Sequence, residues 1–194
     1  MGTRERILEA ARDVIMSKGL ARATTKEIAR VAGVSEGTLY NYFASKEAIF
    51  LDALGQIPSD FISLVRALPA RAGNEPVGTV LTQVGLVGLA FYDDAIRMGA
   101  SIFADPELLA RHRHLLSQRG AGPQRANEHL AAYLQEEQDL GHVSRKADAE
   151  ALAYLFLGAI YQRAYWRAFL GEDCDREADA AFVKRLVTTL DGII

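Results

Sequence analysis

Residues 24–47 read TTKEIARVAGVSEGTLYNYFASKE. Thr24 and Glu27 have the S/T-x-x-E spacing of a capping box, in which each side chain satisfies a backbone N–H at the other end. This predicts a short helix from about Thr25 that buries Ile28, Ala29 and Ala32 on one face. Gly33 follows, where a helix end needs a residue that tolerates a left-handed backbone. Ser35 can cap a second helix over about Glu36–Phe43, with Leu39 and Phe43 as its inward pair. Two short helices across a turn centred on Val34 make a helix-turn-helix, whose second helix fits a DNA major groove.

At ~100° per residue, Leu39 and Phe43 define the buried side of that second helix. Gly37, Thr38 and Asn41 fall opposite, flanked by Tyr40 and Tyr42. Thr38 and Asn41 can hydrogen-bond base edges, and asparagine can address adenine bidentately. Tyrosine hydroxyls and lysine suit phosphates. Lys46 follows the candidate cap Ser45, so its charge and the free N–H groups of the next helix can share one phosphate. Gly37 lets the backbone approach the duplex. The candidate DNA-contacting set is Thr25, Ser35, Glu36, Gly37, Thr38, Tyr40, Asn41, Tyr42 and Lys46. Capped helices joined by a glycine turn also occur in helical domains that bind no DNA; the Thr/Tyr/Asn/Tyr face followed by lysine favours DNA.

Gly19-Leu20, Thr24-Thr25, Ile28-Ala29, Ala32-Gly33-Val34-Ser35, Gly37 through Phe43 and Lys46-Glu47 together resemble the N-terminal domain of tetracycline-repressor (TetR) type regulators. The match spans roughly residues 4–54; beyond it, only length and helical pattern are similar. The resemblance implies a bacterial one-component regulator: a three-helix DNA-binding head (residues 1–46), a helical ligand-binding and dimerisation body (47–194), about nine helices in all, and a homodimer. Asn41-Tyr42 departs from the aromatic or histidine pair of many relatives, which leaves the role of position 41 and the operator sequence open.

The 194-residue chain is 49% hydrophobic and 24% charged with net charge −3, ordinary for a soluble globular protein. Residues 1–50 hold eight Lys/Arg against six Asp/Glu, net +2, which leaves −5 for the remainder. A basic head on an acidic body is the reading, with a few placed contacts and strong salt dependence. No window reaches ~18 uninterrupted apolar residues, and MGTRERILEAARD is unlike a signal peptide. No membrane association is expected, and the cytoplasm is the expected compartment. Cys174, the single cysteine, excludes an internal disulfide and lies in the polar linker GEDCDRE.

A first helix over about Thr3–Lys18 buries Ile7, Leu8, Ala11, Val14 and Ile15; Arg4 and Arg6 at its start suit either a phosphate or solvent. A fourth runs from Lys46, is broken at Gly55 and Pro58, and resumes through Phe61, Ile62, Leu64, Val65 and Leu68. It is the covalent lever from head to body. PARAGNEP (69–76) reads as a loop. Residues 77–93 are apolar almost all round, and Gly78, Gly85 and Gly88 there mean either close packing or internal space. A short helix over Arg97–Phe103 is expected, then helices from Asp105-Pro106, from Pro123 to Leu140, from Lys146 to Leu170 and from Asp175 to Ile193. The last two are apolar on more than one side, so pairing them with their copies would give a four-helix bundle, as the family does. Leu155, Gly158, Ala159, Phe182, Leu186 and Leu190 are the candidate interface.

His112 and His114 lie two apart on different helix faces, and no metal set, phosphate-cradling glycine loop, nucleophile elbow or H-E-x-x-H motif appears. Neither an enzyme, a metal nor a cofactor is expected. Phe61, Gln83, Phe91, Tyr92, Phe103, Tyr133, Tyr154, Tyr161 and Trp166 are candidate lining for a ligand pocket, with Arg97, Gln162 and Arg163 as further polar anchors; aromatics at helical spacing are also ordinary core. The function expected is a repressor that binds a palindromic operator in double-stranded DNA and is released by a small, largely apolar effector. The competing function is a helical small-molecule-binding or protein-interaction module without DNA binding.

Overall fold

The structure is a computed structural model that describes residues 1–55 and 60–191. Its described residues form ten α-helices and no strand: α1 (Thr3–Lys18), α2 (Thr25–Ala32), α3 (Glu36–Tyr42), α4 (Lys46–Gly55), α5 (Asp60–Ala67), α6 (Val77–Gly99), α7 (Pro106–Gln118), α8 (Arg125–Asp139), α9 (Ala149–Leu170) and α10 (Arg176–Asp191), with a 3-10 turn at Pro69–Arg71 between α5 and α6. No single helix among them is long and apolar enough to cross a membrane. Contacts divide the chain into two compact units, one of Met1–Pro58 with Asp94–Gly120 and the other of Ser59–Asp93 with Ala121–Ile194.

The first unit is built on α1, whose Ile7, Leu8, Ala11, Val14 and Ile15 are all buried. They pack with Ile28, Ala29 and Ala32 of α2, Leu39 of α3, and Ile49 and Phe50 of α4. Met98, Ile102 and Leu108, more than forty residues downstream of α4, complete this cluster. They enter because α6 runs on to Gly99 and the Ala100–Ala104 segment then turns. The separate helix expected over Arg97–Phe103 is therefore absent. Asp105 accepts from the N–H groups of Glu107 (3.1 Å) and Leu108 (3.0 Å), and Pro106 stands where no N–H is needed, so α7 starts as the sequence predicts. Arg12 of α1 pairs with Asp94 of α6. Arg4 pairs with Asp52 and lies over the Phe43 ring.

In the second unit α8 packs on α9 and on α5. Gly85 and Gly88 serve close packing rather than internal space. A Cβ on Gly85 would lie 2.7 Å from Val183 Cγ1, and one on Gly88 would lie 3.2 Å from the Phe61 ring. Asp179 joins the helices as an acceptor: Arg163 donates to it (2.8 Å) and so does Arg167 (2.8 Å), while Arg167 also pairs with Asp93 at the end of this unit's part of α6 (3.3 Å). Two paired carboxylates make the almost fully buried Arg167 tolerable. Arg163 is thereby committed to Asp179 and to the Phe182 ring (4.8 Å), not to a ligand. A second buried polar centre is Glu137, fully inaccessible, which accepts from the Gly73 N–H (2.9 Å) and from His142 Nδ1 (2.7 Å). Burial pushes its carboxyl up, but the hydrogen bonds from Gly73 and His142 outweigh that and hold it below its usual range.

Three helices start slightly later than expected: α8 at Arg125, and α9 and α10 at Ala149 and Arg176, the last two because Asp148 caps α9 through the Ala151 N–H (2.9 Å) and Asp175 binds the N–H groups of Glu177 and Ala178 (both 3.0 Å). The expected break at Pro58 and the expected end of the last helix at Ile193 lie outside the described residues.

Candidate nucleic-acid interface

Three backbone devices position α3. Thr24 Oγ1 accepts from Glu27 N–H (3.2 Å), so α2 begins where expected. The reciprocal half of the box is replaced: Glu27's carboxylate binds Lys18 (2.6 Å), tying α2 to the end of α1. At the other end Gly33 adopts φ 67°, ψ 37°, its N–H reaching Arg30 O (3.2 Å) and the next N–H, of Val34, reaching Ala29 O (3.0 Å). This is the paired closure that requires a left-handed residue, and glycine alone adopts it without strain. Ser35 Oγ then accepts from Thr38 N–H (3.0 Å), which starts α3.

Leu39 is fully buried and Phe43 nearly so, which fixes the rotation of α3 about its axis. Glu36, Gly37, Tyr40, Asn41 and Tyr42 are exposed and Thr38 is half-buried. Tyr40 and Tyr42 keep about half of their surface open (51% and 48%), although aromatic rings of that size usually seek cover. The side chains are also partly tied to one another. Thr38 Oγ1 shares a hydrogen with Ser35 Oγ (2.8 Å), Thr25 donates to Glu36 Oε1 (2.5 Å), and Tyr40 donates to Thr25 Oγ1 (3.4 Å). Ser45 caps α4 through Ala48 N–H (3.2 Å), and Lys46 Nζ donates to Leu20 O in the turn before α2 (3.2 Å). Sequence spacing gave no sign of the Thr25–Glu36–Tyr40 chain or of the Lys46 bond, because both join residues on different elements.

Two helices in this order, with a glycine-closed turn and an uncovered second helix, form a helix-turn-helix. Comparison with known proteins agrees over both parts of the chain. Residues 7–53 match the N-terminal family of bacterial regulatory proteins of the tetR family. Residues 104–190 match the C-terminal domain of AefR-like transcriptional repressors. The chain belongs to the TetR family. Among relatives, the HTH-type transcriptional regulator YvkB of Bacillus subtilis is 28% identical over 88% of this chain and 85% of its own. The HTH-type transcriptional regulator UidR of Escherichia coli K12 is 26% identical over 99% and 93%. The crystal structure of the regulator FadR from Bacillus subtilis, in complex with stearoyl-CoA, superposes with TM-score 0.67 at 19% identity, covering 94% of this chain and 96% of that one. The all-helical TetR fold with its N-terminal helix-turn-helix is therefore established, and the protein is a helix-turn-helix transcriptional regulator of this family.

The residues expected to line a pocket do not come together as one group. Phe61, Phe91, Tyr92 and Tyr161 do: the Phe61 ring stacks on Phe91 (5.0 Å between centroids), Tyr92 touches Phe61 (5.4 Å), and Tyr161 meets Tyr92 edge-on (5.5 Å). Burial, and then the neighbouring Tyr161, push the Tyr92 hydroxyl up to about 12. Gln83 accepts from Arg71 (2.9 Å), and Tyr133 is fully buried in α8 with its hydroxyl raised by burial and by Glu137. Phe103 is 80% exposed and belongs to the first unit; Tyr154 and Trp166 are exposed on α9. These three do not line an interior. Two open clefts in the second unit, one along Gln135, Asp139 and Arg145 and one beside Pro76, Thr79 and Thr82, include none of the expected lining.

The expected interface residues separate similarly. Leu155 is exposed, Gly158 has open space where a Cβ would be, and Ala159, Phe182 and Leu186 are half-covered. Leu190 is buried within its own protomer. Around them Tyr154, Tyr161, Tyr165, Trp166, Phe169 and Leu170 leave one face of α9 open and largely apolar, a feature that marks contact surfaces.

Proposed function

We propose that the protein is a homodimeric repressor, released from a roughly palindromic operator by a small, largely apolar ligand. The observation that supports it best is the rotation of α3: Leu39 is fully buried while Gly37, Tyr40, Asn41 and Tyr42 stand exposed on the other sides. Residues 1–46 act as the DNA-binding domain and 47–194 as the ligand-binding and dimerisation domain. Thr38 and Asn41 read bases, and the backbone passes close to the duplex at Gly37. Tyr42, Lys46 and the backbone N–H of Thr25 hold phosphates, and Tyr40 joins them when its one hydroxyl hydrogen leaves the long 3.4 Å contact with Thr25 Oγ1 for a phosphate oxygen. Ser35 orients Thr38. The open face of α9, with Gly158 at its middle and Phe182 and Leu186 beside it, pairs with its copy, so two heads meet two half-sites.

The aromatic group of Phe61, Phe91, Tyr92 and Tyr161 is the apolar wall a ligand would enter. Its rings already fill one another's space, so entry requires side chains to move, and that movement is the source of differential affinity between the DNA-competent and released states. Loss of fit at one half-site then weakens both through lost avidity. The relative holding stearoyl-CoA makes long-chain acyl compounds the first effectors to try. Titrating oleoyl-CoA and free fatty acids into a complex with the DNA flanking the protein's own gene should release the duplex in wild type. Release should need more ligand in Tyr92→Trp, where a larger ring crowds the wall. Release at equal concentration in both would remove these aromatics from the ligand site. Asn41→Ala should relax preference at one base position, and an unaltered preference profile would remove Asn41 from readout.

A further inference from the structure

We infer that Glu36 is a base-selecting residue that favours, at one position of each half-site, a base presenting an amino group in the major groove: cytosine first, adenine second. The inference rests on the DNA-binding reading above and concerns which sequence is chosen. Glu36 is exposed in the first turn of α3, the part of a recognition helix that meets base edges. An ionised carboxylate is acceptor-only. Guanine O6 and N7, thymine O4 and every phosphate oxygen are acceptors too, so only cytosine N4 and adenine N6 offer it a hydrogen.

The side chain is held for this task. Thr25 has one hydroxyl hydrogen, and the 2.5 Å contact with Glu36 Oε1 uses it, because the carboxylate has none to give. Tyr40 must then be the donor in its 3.4 Å contact with Thr25 Oγ1. The order Tyr40 to Thr25 to Glu36 fixes one carboxylate oxygen and leaves Oε2 without a partner among the described residues. Thr25 is thereby a positioning residue, and its own phosphate contact comes from its backbone N–H. A negative charge at this place lowers affinity for DNA in general; it also ties α2 to α3 through Thr25 and suits the first turn of α3, and discrimination at one base position is the added return at the duplex.

The test selects bound duplexes from a randomised pool with the full-length chain and measures anisotropy on a non-cognate duplex. Wild type should enrich a symmetric motif with one column of cytosine or adenine, disfavouring guanine and thymine by about tenfold there. Glu36→Ala should flatten that column alone and bind the non-cognate duplex about two- to fivefold tighter, since a repelling charge is gone. Glu36→Gln should move the column towards adenine, and Thr25→Val should broaden it. A Glu36→Ala motif superimposable on wild type would overturn the inference and leave the regulator reading standing. Absence of any enriched motif with wild type would overturn both.

Discussion

Lys46 allows the DNA-binding geometry to be tested in numbers. Its ammonium has three hydrogens, one of which goes to Leu20 O at 3.2 Å, leaving two for a phosphate at the start of α4. Lys46→Ala therefore has two separable effects. Loss of the half-exposed charge-assisted bond destabilises the head by roughly 1 kcal/mol, seen as a small drop in Tm. Loss of one phosphate contact per head removes two per dimer. At about 0.9 per phosphate, the plot of log affinity against log salt becomes shallower by about 1.8. The variant's deficit at about 50 mM salt should therefore shrink roughly tenfold by about 200 mM. Lys46→Gln keeps a donor for Leu20 O but not the charge, so it should keep the Tm and show the same flattened slope. Fluorescence anisotropy across a salt series reads the slope. An unchanged slope with loss confined to particular sequences would refute the phosphate role.

Gly85→Ala should destabilise the second unit by about 1–3 kcal/mol through overpacking against Val183, and Val183→Ala in the same chain should recover much of it; denaturant midpoints that simply add would contradict the 2.7 Å approach. Glu137→Gln should cost about 2 kcal/mol at neutral pH. Because the folded carboxyl lies below its unfolded value of 4.5, that stabilisation is complete above about pH 4.5 and is lost as pH falls through the folded value. Wild type and variant should therefore converge in acid, and a constant gap from neutral to acid would contradict the pairing. Leu155→Glu, placing charge in the open face of α9, should shift sedimentation towards monomer and abolish operator binding without lowering head stability; an unchanged dimer would remove that face from the interface.

The head was legible in the sequence because its signals are local. Thr24, Gly33 and Ser35 each act on residues at most four away, and α3 is only two turns long. The end of α6 was not legible: Met98 and Ile102 pack under a helix-turn-helix more than fifty residues earlier, and no local period carries that. Arg163 looked like a ligand anchor because its partner Asp179 lies on another helix. Gly85 and Gly88 supported packing and space equally until Val183 and Phe61 were seen to occupy the gap. Aromatics at helical spacing fall into one cluster around Phe61 and an open face around Trp166, with Tyr161 at the edge of both, touching Tyr92 yet half exposed.

The most direct measurement is a footprint on the DNA flanking the protein's own gene, made with excess random competitor and with protomers counted per protected site. Even numbers of protomers should protect an inverted repeat at least about a thousandfold more tightly than competitor. Equal affinity for any duplex, or protection by a lone protomer, would contradict an exposed α3 face presented twice in a two-fold assembly.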